Sequence, residues 1–381
     1  MAEKHDQLIR LRRELHRRPE LAGEEAQTAR TVAGHLERFG PTRLVTGLGG
    51  RGVAGVFDSG RDGATVMLRA ELDALPINEI NELDYRSRTP GVGHKCGHDG
   101  HMAILVGVAA RLPEILPGLR GRVVLLFQPA EETARGAKAV MEDGKFSEIE
   151  SDYVFGLHNL PGFPAGSVII RKGAFAAASR GFIVRLTGRT SHAGEPQHGV
   201  SPVLAVTSLI HALMDLPRQC APLERSALVT IIHARLGEVA FGTSPGYAEV
   251  MATLRSHRDE EMEAMARRAE ELAVSIARAH GLGCRTEWVE EFPALVNDDG
   301  CVGVVERAAQ KIGAEVIRPE SPFPWTEDFS YFLGKIPGAF FGLGAGGDHP
   351  QLHSPDYDFP DGIIPRGVEV FAGILTDILA G

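Results

Sequence analysis

Short apolar runs separated by helix-length segments constrain the fold of this chain more than any other feature. Residues 65–68, 123–127 and 153–157 are largely apolar without polar alternation, the mark of strands buried on both faces. Helical spacing frames them. Leu8, Leu11 and Leu15 place a helix over 7–18, ending before Pro19, and a second over 24–39 is stopped by Gly40 and Pro41. This alternation predicts an α/β fold, a main sheet with helices on both faces.

After Gly173 the texture changes. Residues 182–186, 227–233 and 248–254 read as strands, and 202–216 and 259–280 as helices. Strand, helix, strand, strand, helix predicts a compact α+β insert of roughly 110 residues. From Phe292 the first texture returns, with a helix over 302–312, an apolar strand over 338–343 and a closing helix from about Pro365. The expected organisation is a discontinuous main domain, 1–176 and 290–381, interrupted by a smaller domain over 177–289.

A chain of 381 residues with 43% hydrophobic content has room for about two domains. Its net charge of −10 makes the overall field a poor grip for nucleic acid or an anionic membrane. The longest apolar run, 102–110, falls well short of the roughly 20 residues a spanning helix needs. The first twenty residues lack the apolar stretch of a secretory signal. Cys96, Cys220, Cys284 and Cys301 are too scattered for a disulfide scaffold, so a reducing cytoplasm is the expected compartment.

Chemistry concentrates in four places. His94, Cys96, His98, Asp99 and His101 lie among glycines that let the backbone bend closely, and an extended segment would let Cys96 and His98 reach one metal centre. Glu131 and Glu132 follow the strand at 123–127, where open α/β sheets place their ligands. Adjacent carboxylates project differently, so one can bind a metal while the other faces its water. His158 ends another apolar strand, and His353 lies nearly two hundred residues later. Cys96, His98, Glu132, His158 and His353 are too many ligands for one tetrahedral ion. They suit two ions with one ligand shared. Asp73, just past the strand at 65–68, is placed to orient a ligand from behind.

Eight segments occur in the order of a known family: LHRRPEL (15–21), LRAELDALPINE (68–79), GHKCGHDGHMA (93–103), LLFQPAEET (125–133), GLHNLP (156–161), GRTSHAGEP (188–196), TEDFSYFL (326–333) and LHSPDYDFPD (352–361). Nearly the whole chain thus resembles the metal-dependent aminoacylase and carboxypeptidase family, in the branch of hippurate hydrolases and auxin-conjugate amidohydrolases. The resemblance implies a dinuclear site on Cys96, His98, Glu132, His158 and His353, with Cys96 bridging. It implies two divalent ions per subunit, Mn or Zn, with Co or Ni as alternatives. It makes Glu131 the general base. His192, on the inserted domain, would reach the partner's active site in a homodimer or tetramer and hold the oxyanion there, and Arg255 would lie near the substrate. The implied substrate is a small N-acyl amino acid or related amide. Three positions depart from the branch. Glu71 stands where Asp is usual, Gln197 where His is frequent, and Gly242 where an Asn commonly meets the substrate; the last bears on whether a simple α-carboxylate is recognised.

Other readings have distinct signatures. The same centre cuts peptides, so a dipeptidase or carboxypeptidase is the alternative within hydrolases. A Cys96 nucleophile would survive a chelator, but Glu131 and Glu132 would raise its pKa. A non-catalytic metal-binding scaffold would be expected to lose the base, and Glu131 is present.

Overall fold

Eight strands form one mixed sheet in the computed structural model, which describes residues 2–222 and 226–380. In chain order they are β1 (Arg43–Leu48), β2 (Gly52–Asp58), β3 (Thr65–Glu71), β4 (Arg122–Gln128), β5 (Tyr153–Pro161), β6 (Val168–Ile169), β7 (Val316–Ile317) and β8 (Gly338–Gly346). Their spatial order is β1-β2-β4-β3-β5-β8-β6-β7. The central strands β4, β3, β5 and β8 run parallel, so their carboxyl ends share one edge.

Strand alternation explains what each face does. Val66, Leu68 and Ala70 of β3, Val123, Leu125 and Phe127 of β4, and Phe341 and Leu343 of β8 join one core. Residues of α1 (Ala2–His16), α2 (Ala26–Glu37), α3 (His98–Ile115), α4 (Asp299–Lys311) and α5 (Ile364–Leu379) complete it. The other face buries Met67, Val124, Leu126, Val154 and Phe340, with the short helix Gly136–Glu142 against β4 and Phe329 against Phe340. The same period of two carries Arg69, Glu71 and Gln128 onto this second face at the carboxyl edge. Charged groups there are buried, which demands partners.

The described chain divides into two compact units. The first comprises the stretch ending at Phe175, Leu295–Ser321 and the stretch from Glu327. The second comprises Ala176–Ala294 and Pro322–Thr326. In the second unit, Ala227–Leu236, Tyr247–Ser256, Ala178–Thr187 and Gly283–Phe292 lie side by side in that order, all antiparallel. Helices Val203–Met214 and Asp259–Ala279 cover one face, over Phe182, Val184, Leu186, Val250 and Leu254. Adding Gly283–Phe292 to the expected order gives β-α-β-β-α-β, a split β-α-β arrangement. The sequence pattern missed that strand for a physical reason. It is an edge strand with no fully buried residue, so it carries no apolar run.

Candidate metal centre

Each flagged donor of the first unit sits at the carboxyl edge of the parallel strands or on a loop reaching it. Asp73 follows β3, Glu131 and Glu132 follow β4, and His158 lies near the end of β5. Cys96 and His98 come from the turn that starts α3. The expectation of an extended segment is corrected here, because Gly97 adopts φ 98° and folds the chain sharply into the helix. A Cβ at Gly97 would also collide with the side-chain oxygen of Asn159. Gly97→Ala is therefore expected to cost at least the ~1–2 kcal/mol of a left-handed residue and to displace Cys96 and His98. Metal content by atomic absorption and the unfolding midpoint should both fall.

His353 arrives on a loop after β8, with φ 63°, and its backbone N–H donates to the Lys95 carbonyl at 2.7 Å. A positive φ at a non-glycine residue stores strain of the kind found at ligand clamps. The Lys95 bond ties this loop to the residue preceding Cys96.

The donors converge. Cys96 Sγ lies 3.2 Å from His158 Nε2, and His353 Nε2 lies 3.7 Å from Glu132 Oε1. His98 Nε2 is 3.9 Å from Glu132 Oε1 and 4.0 Å from Glu131 Oε2. Two groups with donor atoms within 4.8 Å of one another share the thiol: Cys96 with His98 and His158, and Cys96 with Glu132 and His353. Both buried imidazoles are oriented from behind. His98 Nδ1 donates to the Asp73 carbonyl and His158 Nδ1 to the Asn159 carbonyl, each at 2.9 Å. A proton thus sits on each Nδ1, which turns each Nε2 inward toward the other donors. Asp73 Oδ2 accepts from the backbone of Glu132 at 3.0 Å, so this acid steadies two of the donor-bearing segments.

The residues present fit a pair of cations. His98 Nε2 and Glu132 Oε1 are buried and without a hydrogen-bond partner, and both point at the same space. Burial, then Glu132 and Glu131, push the Cys96 thiol well above its usual range. That setting holds the thiol protonated and gives no support to a nucleophilic Cys96. Burial raises Glu132 to about 7, opposed in part by His98. Burial and the carboxylates of Glu327, Glu132 and Asp328 hold Glu131 well above the carboxylate range. Against burial, Asp73 and Glu71 raise His98 to about 10, whereas burial and His101 keep His158 neutral. Crowded acids that resist ionisation, beside the His98 Nε2 that has no hydrogen-bond partner, form a donor set that divalent cations stabilise.

A buried polar layer not anticipated from the sequence surrounds the donors. Arg69, fully buried, reaches Glu71, Glu327 at 3.0 Å, Asp328 at 2.7 Å and Gln128 at 2.9 Å. Asp328 N–H in turn donates to Glu131 Oε1 at 3.3 Å. An Arg inside an otherwise apolar strand was the available signal. On the helix side, Asp99 forms an ion pair with Arg12 at 2.9 Å and accepts from His16 at 2.8 Å, securing the start of α3.

His192 and Arg255 belong to the second unit. His192 lies exposed on the two-residue strand Ser191–His192, and its Nδ1 accepts from the Gly194 N–H at 3.1 Å. Arg255, half-buried on Tyr247–Ser256, donates to the Pro324 carbonyl at 2.8 Å, and burial lowers its pKa. A Cβ at Gly242 would meet open space.

Comparison with known proteins follows the same lines. A family model described as peptidase family M20/M25/M40 matches residues 67–377. The chain is 38% identical over 352 residues to N-acetyl-L-cysteine deacetylase of Bacillus subtilis (strain 168), covering 91% of this chain and 82% of that protein. It is 32% identical over 372 residues to hippurate hydrolase of Campylobacter jejuni, covering 97% and 96%. Among solved structures, a dinuclear metal binding peptidase of the M20 family from Bacillus subtilis matches with a TM-score of 0.85 at 28% identity, covering 100% of this chain and 99% of that one.

Proposed function

This chain belongs to peptidase family M20/M25/M40, and from that premise we propose that it hydrolyses the amide bond of small N-acyl amino acids or related conjugates, with Glu131 moving the proton. The observation that carries the reading is the convergence of Cys96, His98, Glu132, His158 and His353 around unpartnered buried donor atoms, with Glu131 beside them. The names of the relatives, N-acetyl-L-cysteine deacetylase and hippurate hydrolase, support the reaction class.

The five donors would hold two divalent ions, Mn or Zn with Co or Ni as alternatives, and Cys96 would serve both. Such ions, when bound, lower the pKa of a water toward about 7 and polarise the scissile carbonyl. Glu131 takes a proton from the attacking water and delivers it to the departing nitrogen, and the crowding that raises its proton affinity favours the first transfer. Asp73 holds His98 and the Glu132 backbone in place.

His192 would stabilise the oxyanion in a partner subunit, which makes a homodimer the working form. The Gly194 bond to Nδ1 supports this role, because it leaves the proton on Nε2, free to donate. Arg255 would face the substrate. All four cysteines are free, which supports a reducing, cytoplasmic site of action.

The test is release of free amine from N-acyl amino acids, dipeptides and amides lacking an α-carboxylate, by protein loaded with Mn²⁺ or Zn²⁺. Turnover of dipeptides alone would establish the peptidase alternative, and no turnover would overturn the reading. Dialysis against a chelator should abolish activity and metal return should restore it. Unfolding should report the same event, because a ligand at a hundred times its Kd stabilises by about 2.7 kcal/mol. Calorimetry with and without metal measures that shift.

A further inference from the structure

His158 is steered by the carbonyl of its own neighbour, so whatever fixes the Asn159 peptide fixes this imidazole. Asn159 is fully buried, and its side-chain oxygen and backbone N–H lie 2.5 Å and 3.2 Å from His101 Nε2, which donates to the first when protonated and accepts from the second when not. The other end of the amide donates to the Tyr357 hydroxyl at 2.6 Å. His101 is gripped from its far side by Glu71, with Nδ1 2.7 Å from Oε2. The result is one buried chain, Glu71–His101–Asn159–Tyr357. It links the end of β3, the first turn of α3, the end of β5 and the loop that carries His353.

The amide of Asn159 also forms the wall against which Gly97 packs, so it borders the Cys96–Gly97–His98 turn. The residue therefore stands between two donor-bearing segments and sets their separation. The Tyr357 ring is fully buried, and the only hydrogen bond its hydroxyl makes among the described residues is to Asn159. A phenol with one internal partner beside a donor pair is costly to keep for packing alone, since a phenylalanine would fill the space without a polar group to satisfy.

We propose that Tyr357 and Asn159 are positioning residues for the metal centre, holding His158 Nε2 toward Cys96 Sγ through the Glu71–His101 clamp. This inference rests on the dinuclear reading above. Loss of an outer partner of a ligand imidazole typically weakens metal binding about 10–100-fold. Tyr357→Phe removes one bond without changing shape, and Asn159→Ala removes both side-chain contacts, to His101 and to Tyr357, while keeping the backbone N–H.

The test measures binding rather than turnover. Parent and variants are loaded with Co²⁺, visible spectra are recorded, and affinity is measured by competition with a chromophoric chelator. Expected is a parent that binds two ions, Tyr357→Phe with one site weakened about 10-fold and an altered Co²⁺ spectrum, and Asn159→Ala approaching 100-fold. If Asn159→Ala does not fold, Tyr357→Phe alone decides. Two sites of parental affinity and spectrum in Tyr357→Phe, with only the metal-free unfolding midpoint lowered, would show a packing role and overturn the proposal. A parent that binds no metal would instead overturn the dinuclear reading itself.

Discussion

Glu131→Gln is expected to lose about 10²–10⁴-fold in turnover while still binding two equivalents of metal, the range that a positioned acid–base group contributes. The amide keeps the shape and the contact with the Asp328 N–H but cannot carry the proton. Glu132 is one residue away and one of the donors, so the control is Glu132→Gln, which should lose metal as well as activity. The discriminating result is stoichiometry. Glu131→Gln with full metal and parental turnover removes Glu131 from the mechanism. Lost metal in that variant would make it a ligand instead.

Arg69→Met is expected to destabilise the first unit by about 3–5 kcal/mol, the usual consequence of removing one partner from a buried ion network. Burial works against the charge on Arg69, yet Glu327, Glu71 and Asp328 hold its proton affinity above the ordinary guanidinium value. Take the cation away and three buried carboxylates face one another and Glu131. They must then take up protons or draw in water. The chain offers an internal control, because both tryptophans, Trp288 and Trp325, lie in the second unit. Urea unfolding followed by far-ultraviolet circular dichroism should shift to lower denaturant. Tryptophan emission reports whether the second unit follows. An unshifted transition would mean that the carboxylates are already protonated in the parent, with Arg69 adding little.

The sequence revealed what periodicity and residue chemistry encode. Apolar runs located β3, β4, β5 and β8, and the Cys/His and Glu-Glu segments located the donors, because a strand followed at once by polar residues has few places to put them. What escaped was pairing across distance. Nothing near Arg69 in the chain announces Glu327 and Asp328, and Tyr357 reads as one aromatic in a loop until Asn159 is found against it. The hairpin of β1 and β2 was also missed, since its glycines dilute the apolar signal. The turn at Gly97 was misjudged as extended because a glycine permits both shapes, and only its neighbour Asn159 decides between them.

The placement of β8 beside β5 governs how this protein can be made. During synthesis at about 5–20 residues per second, β5 emerges roughly 180 residues before β8, so its outer edge waits on the order of ten to thirty-five seconds for a mate. A bare apolar edge of that kind is a template for stray pairing with another nascent copy. Most of the second unit, Ala176–Ala294, is translated during that interval. Production at lower temperature or with chaperone supply should therefore raise the recovered yield more than changes to the finished molecule would.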